Sequence, residues 1–181
     1  LTLVFADLVG STQLKTERGD MAAGELIDRY RDRIVDLADE AGGRIIDWAG
    51  DGCFLTFETV SSAVIFAAKL LQILSGDAAI PAVRIGINVG EVTERSEKNL
   101  LRIDGLAVDL ASRICSLAHP NQVQMPAARQ SAGLRMGHTT SRAPLLPWKF
   151  TNSGSRDMAM VDGRLAFDLS KFVVRDVVDV Y

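Results

Sequence analysis

Ile45-Ile46-Asp47-Trp48-Ala49-Gly50-Asp51-Gly52-Cys53-Phe54-Leu55-Thr56-Phe57 is the stretch that decides the fold. Two short apolar runs flank Gly50-Asp51-Gly52, and Asp-Gly between apolar strands is a strong hairpin signal. Earlier in the chain, Leu3-Val4-Phe5-Ala6-Asp7-Leu8-Val9-Gly10-Ser11-Thr12 is an apolar strand that ends in a Gly-Ser-Thr helix start. A hairpin laid beside that strand brings Asp7 and Asp51 together at one end of a sheet. Hard carboxylate oxygens of this kind hold Mg²⁺ or Mn²⁺, with phosphates completing the shell. The pair therefore points to metal-assisted chemistry on a nucleotide. Taken singly, Asp51 reads as an ordinary turn aspartate and Asp7 as a helix-entry residue.

The remaining elements follow from periodicity and punctuation. Residues 1–8 read as a buried strand. Residues 11–41 read as helix, broken near Gly19-Asp20, where Asp20 can cap a second segment. That segment carries Leu26, Ile27, Tyr30, Ile34, Val35, Leu37, Ala38 and Ala41 on a stripe of about 3.6-residue period, and Gly42-Gly43 ends it. A helix is expected over 60–74, an alternating strand over 83–92, and a charged loop or hairpin extension over 94–101. A helix over 105–118 stops before Pro120, and a short strand follows over 122–125. Further on, 127–135 reads as helical, 137–147 as loop and 172–181 as a closing strand. The order is β-α-α-β-β-α-β with a small C-terminal αβ appendage. Because the second and third strands form a hairpin, the sheet should be mostly antiparallel, with helices on one side. The expected class is α+β, with a ferredoxin-like palm core.

Composition narrows the function classes. The chain has 181 residues, 48% apolar and 24% charged, with a formal net charge of −3. That suits one globular domain with a proper core. With no basic stripe, no nucleic-acid partner is expected. The longest apolar stretch, 63–74, is interrupted by Lys69 and Gln72, so no membrane span is expected in this segment. No signal peptide is visible, and a cytoplasmic location is expected. Cys53 and Cys115 lie in apolar contexts and read as two buried thiols. The chain starts without methionine inside a strand, so it reads as a single domain, 1–181, excised from a longer protein.

With these segments in place, the chain resembles the catalytic domain of class III adenylate and guanylate cyclases, in its bacterial form. Four blocks carry the match: Phe5-Ala6-Asp7-Leu8-Val9-Gly10-Ser11-Thr12, Ala49-Gly50-Asp51-Gly52, Arg84-Ile85-Gly86-Ile87-Asn88-Val89-Gly90-Glu91-Val92, and Gly105-Leu106-Ala107-Val108-Asp109-Leu110-Ala111-Ser112-Arg113. They fall in the family's order and cover roughly residues 1 to 125. The resemblance implies a cyclase that converts ATP, or GTP, to a 3′,5′-cyclic nucleotide and pyrophosphate. It implies that Asp7 and Asp51, with the Leu8 carbonyl, hold two Mg²⁺ or Mn²⁺ ions per active site. Backbone N–H groups of Val9, Gly10, Ser11 and Thr12 would cradle the outer phosphates at a helix N-terminus. Arg84 matches an arginine that contacts those phosphates. Arg113 matches the arginine that stabilises charge on the α-phosphate in the transition state. The metal carboxylates and the 105–118 helix come from different subunits in this family, so a homodimer is implied; bacterial relatives often carry such a domain fused to other modules, which implies fused regulatory or effector domains.

Three positions depart from the family pattern. Asp109 stands where the family has an asparagine that orients the ribose, which loses an N–H₂ donor and adds charge beside a triphosphate; impaired activity is the expectation. Asp47 stands where adenylate cyclases have a base-reading lysine, and an acceptor there suits the N1–H and N2–H₂ edge of guanine. The partner base-reading position falls at Arg102, and arginine pairs with guanine O6 and N7. The family's lysine that contacts the terminal phosphate has no clear counterpart, and Lys149 and Lys171 are candidates only. A second reading stays open on these grounds, a degenerate cyclase homology domain acting as a dimerising or nucleotide-binding regulatory module. A diguanylate cyclase is a third, but Ala49-Gly50-Asp51-Gly52-Cys53 lacks the second acidic residue of that hairpin. Asp109 and Arg113 lie four apart on one helix, where an ordinary surface ion pair is the plainer reading.

Overall fold

The structure, a computed structural model, describes residues 1–96 and 101–126, together with the backbone of 97, 100, 149–151, 159–161 and 164–166. Its elements run β1 (Thr2–Leu8), α1 (Ser11–Arg18), α2 (Asp20–Glu40), β2 (Arg44–Ala49), β3 (Gly52–Phe57), α3 (Val60–Ser75) and β4 (Val83–Val89). Then follow β5 (Thr93–Glu97), β6 (Leu100–Asp104), α4 (Leu106–Leu117), β7 (Gln122–Gln124), β8 (Lys149–Thr151), β9 (Ala159–Val161) and β10 (Arg164–Ala166). The break between α1 and α2 falls at Gly19, whose φ of 81° takes the chain out of the helical region. Gly19 also occupies the cap of α2, and Asp20 opens that helix without capping it through its side chain. The charged segment after β4 resolves into the β5–β6 hairpin. The helix, loop and closing strand expected over 127–135, 137–147 and 172–181 lie outside the described residues.

One sheet has the order β2-β3-β1-β4-β7-β8. β1 pairs antiparallel with both β3 and β4, β2 with β3, and β7 with β8; only β4–β7 is parallel. The first four strands in the order 2-3-1-4, with α2 and α3 as connections, are a ferredoxin-like core. The fold is α+β with a mostly antiparallel sheet.

Alternate residues of a strand point to opposite faces, and here both faces are covered. Val4, Ala6, Leu8, Cys53, Leu55, Phe57, Val83, Ile85 and Ile87 bury one face against Ala23, Leu26, Ile27, Tyr30 and Ile34 of α2 and Phe66, Ala67 and Leu70 of α3. Leu3, Phe5 and Phe54 face the other way and pack with Ala107, Val108 and Ala111 of α4 and Ile103 of β6. The expectation of helices on one side is therefore corrected: α4 lies on the opposite face from α2 and α3. The cause is Gly86. A Cβ there would sit 2.3 Å from the Cys115 nitrogen and 2.7 Å from the Ala111 carbonyl oxygen, so only glycine lets α4 lie directly on β4. Asn88, two residues along the same face, donates from its amide to the Ala107 carbonyl at 2.9 Å and fixes the other end of the helix.

Gly86→Ala should cost about 2–3 kcal/mol, because the added methyl meets backbone rather than a movable side chain. Urea unfolding measures it; a midpoint equal to that of the native protein would contradict this packing.

Candidate active site

Residues directly opposite on neighbouring strands share a face, and the registers place the sequence candidates on a grid. Asp7 lies opposite Arg84 on β4, and Arg84 opposite Gln122 on β7. On the β3 side the row ends at Gly52, where a Cβ would come within 3.4 Å of Asp7 Oδ1. The neighbouring row runs Asp47, Phe54, Phe5, Gly86. Phe5 and Phe54 stack at 4.5 Å between centroids, 6° from parallel, and floor the space between Asp47 and Asp7. Two strands across and one row along, Asp47 stands roughly 12 Å from Asp7.

The Asp51 turn is held from outside the hairpin. Gly50 takes φ 65° at the turn. Arg31 of α2 donates from Nη2 to the Gly50 carbonyl at 2.6 Å and lies over the Trp48 ring, 5.3 Å from its centroid. That contact, a cation over an aromatic face, comes with a hydrogen bond to a turn 19 residues further along the chain and left no local signal. Asp51 is half-buried and directly precedes Gly52, the residue that approaches Asp7. The electrostatics agree: Arg84 is held above its ordinary range chiefly by its hydrogen bond to Asp7, against the opposing effect of burial, with the charges of Asp7, Cys115 and Asp51 adding to it. Burial pushes the Tyr30 hydroxyl well above its ordinary range, and Cys53, Asp7, Cys115 and Asp51 add to that.

Arg84 donates from Nε and Nη2 to Asp7 Oδ2 at 2.8 and 2.5 Å, and from Nη1 to the Ser116 carbonyl at 3.4 Å. The structure thus places Arg84 on the carboxylate itself. Of the predicted phosphate cradle, Val9 is already engaged, its N–H donating to the Ala82 carbonyl at 2.8 Å. Gly10, at φ 79°, caps α1 without a side-chain hydrogen bond, so Ser11 and Thr12 do not serve as caps. Leu14 is the residue whose N–H closes onto the Gly10 carbonyl, which leaves the first-turn donors of Ser11 and Thr12 leading out of the helix. The Leu8 carbonyl is open for a different reason. Val9 bonds towards β4, so the backbone groups of Leu8 turn towards β3, where pairing ends at Ala6 and Cys53. That carbonyl therefore faces the Asp51 turn.

The other candidates lie apart. Asp47 reaches the α4 face only through a bulge in β2 between Ile45 and Asp47; an unbroken alternation would turn it into the core. Its Oδ1 accepts from the Trp48 N–H at 2.8 Å. Arg102 sits opposite Arg95 on the β5–β6 hairpin, exposed. It makes no ion pair with Asp7, Asp47 or Asp51. Asp109 and Arg113 are exposed, while Ala111, Ile114 and Cys115 turn to the sheet. They form no ion pair with each other, so the plainer reading of the two does not hold. Lys171 lies outside the described residues, and only the backbone of Lys149 is described.

The donor set fits a divalent cation. Asp7, Asp51 and the Leu8 carbonyl are all hard oxygen donors, and among the described residues no three His, Cys, Asp or Glu side chains form a cage. An incomplete oxygen shell is one that phosphate oxygens complete. Also among the described residues, no helix is long and apolar enough to cross a membrane.

Cys53 and Cys115 are free and buried, as the sequence suggested. Burial pushes each thiol up to about 12; Arg31 opposes it at Cys53, and Asp7 reinforces it at Cys115. Both should resist a thiol-specific disulfide reagent at pH 8 until urea unfolds the protein. The unfolded thiols deprotonate near their ordinary 9.0 while the folded ones hold their protons to about 12. Folding stability should therefore fall as pH rises across that window. Rapid labelling of the native protein at pH 8 would contradict this burial.

Residues 1–145 match the family model described as the adenylate and guanylate cyclase catalytic domain. An adenylate cyclase of Streptomyces coelicolor is 32% identical over 128 residues, 71% of this chain and 32% of its own length. One of Streptomyces griseus is 31% identical over 133 residues, 74% of this chain and 32% of its own length. The chain thus spans about a third of these relatives. Among solved structures, an adenylate cyclase of Trypanosoma brucei in its monomeric state superposes with a TM-score of 0.62 at 19% identity, covering 68% of this chain and 71% of that one. The guanylate cyclase domain of Catenaria anguillulae in complex with GTP does so with 0.61 at 19% identity, covering 69% and 76%. The chain belongs to the adenylate and guanylate cyclase catalytic domain family.

Proposed function

We propose that this chain is a nucleotide cyclase domain that converts ATP or GTP to the 3′,5′-cyclic nucleotide and pyrophosphate, as a homodimer. The observation that carries the reading is the placement of Asp7 beside the Gly52 end of the Asp51 turn, with the Leu8 carbonyl facing the same turn. Two divalent ions there, Mg²⁺ or Mn²⁺, would neutralise the triphosphate and acidify the ribose 3′-hydroxyl. Asp7 and Asp51 supply the negative charge that holds them. The open N–H donors of Ser11 and Thr12, at a helix N-terminus, receive the outer phosphates. The 3′-oxygen attacks the α-phosphorus in line and expels pyrophosphate.

Arg113 stabilises the charge that builds on the α-phosphate, from a second copy of the chain. Its exposure on α4, away from the sheet, suits that role. Leu106, at the start of the same helix, is 74% exposed, an apolar surface that a partner would cover. Asp47 stands at nucleotide length from Asp7 over the Phe5–Phe54 floor, and its acceptor oxygens suit guanine better than adenine. Arg102 would complete the base reading.

Asp109 supports a second reading, a regulatory module that binds nucleotide without turnover, because it sets a negative charge where the ribose must lie. Purified protein with Mn²⁺ and each triphosphate, assayed for cyclic product, separates the two: turnover supports the enzyme, and binding alone supports the module. Asp51→Ala should lower turnover by at least about 100-fold with the circular dichroism spectrum retained; undiminished activity would refute the metal assignment. Asp109→Asn should raise turnover several-fold, and no gain would show that this carboxylate is not what limits the enzyme.

A further inference from the structure

Arg84 meets two opposing demands. Its two donors fall on a single oxygen of Asp7, and Oδ1 stays open towards Gly52 and the hairpin. The side chains of the pair are 34% and 28% exposed, and the register holds them directly opposite. Solvent therefore screens this pair less than a surface pair. A guanidinium so close to a ligand carboxylate repels a divalent cation arriving at that carboxylate. The same guanidinium attracts a polyphosphate, for which its planar fork is well shaped. Nη1 has a separate hold on the Ser116 carbonyl, so the side chain keeps an anchor on α4 that does not need Asp7.

We propose that Arg84 is a built-in counter-ion that neutralises Asp7 in the absence of ligand and passes from Asp7 to phosphate oxygens when a metal–polyphosphate enters. A divalent cation alone then binds weakly, because it competes with the guanidinium for Asp7. The metal–polyphosphate complex binds well, because it brings the anion that Arg84 moves to. The inference rests on Asp7 and Asp51 being cation ligands, but it makes Arg84 a determinant of the order of loading as well as a phosphate contact. A guanidinium that merely oriented Asp7 would have the opposite effect on the bare cation, since its loss would misplace the ligand.

The test is calorimetric titration of the 181-residue chain, its Arg84→Gln, Arg84→Lys and Asp51→Asn variants, with MnCl₂ alone and with preformed Mn–tripolyphosphate. Arg84→Gln should bind Mn²⁺ about five- to tenfold more tightly and Mn–tripolyphosphate about five- to tenfold less tightly. Two shifts of opposite sign in one variant are not a result that a loosened fold produces, and thermal melts check the fold directly. Arg84→Lys, which keeps the charge, should restore weak binding of the bare cation. Unchanged or weaker Mn²⁺ binding by Arg84→Gln overturns the proposal while leaving the metal site in place. If Asp51→Asn binds Mn²⁺ as the native chain does, or the native chain binds neither titrant, the metal-site reading falls and this inference with it.

Discussion

The register of β1 between β3 and β4 is the constraint on which the site depends. Asp7 is the last polar position of a strand hydrogen-bonded on both edges, so its place along both neighbours is fixed by the ladders. One neighbour brings Gly52, and with it the Asp51 turn; the other brings Arg84. A slip of one residue would turn Asp7 into the core and put Ala6 or Leu8 in its place. The buried alternation of Val4, Ala6 and Leu8 against α2 and α3 is what resists such a slip. The apolar core and the charged site thus have one cause, two faces of the same seven residues.

The site is open on one side for a related reason. α4 lies on the same face as Asp7 but is lodged over β4 and β1 by the bare backbone of Gly86. Its apolar side is spent on the sheet, so Asp109 and Arg113 are left exposed.

Much of this was legible in the sequence because it is local. The Gly50-Asp51-Gly52 turn, the break at Gly19 and the helix start after Gly10 each depend on a few adjacent residues. Asp7 was legible because an apolar strand ending in a carboxylate is conspicuous. What was missed depends on contacts between distant segments. Gly86 looked like one residue in an alternating strand, yet it decides which face α4 takes. The β2 bulge moves Asp47 from the core face to the site face, and nothing in Ile45-Ile46-Asp47 announces it. Arg31 reaches Gly50 and Trp48 from the preceding helix, whose sequence stripe marked only its apolar side. The engagement of Val9 with Ala82 follows from the ladder extending past β1, and it occupies an N–H group that the sequence had left for a ligand.

The proposed cyclase chemistry requires Asp7 and Asp51 to grip divalent cations jointly beneath a polyphosphate. Anomalous scattering from crystals grown with Mn²⁺ and a non-hydrolysable triphosphate analogue tests it most directly. Manganese peaks are expected within about 2–2.6 Å of oxygens from both carboxylates, with the Leu8 carbonyl and phosphate oxygens in the same shell. Manganese bound by one of the two alone, or found away from the Asp51 turn while the analogue is present, would contradict it.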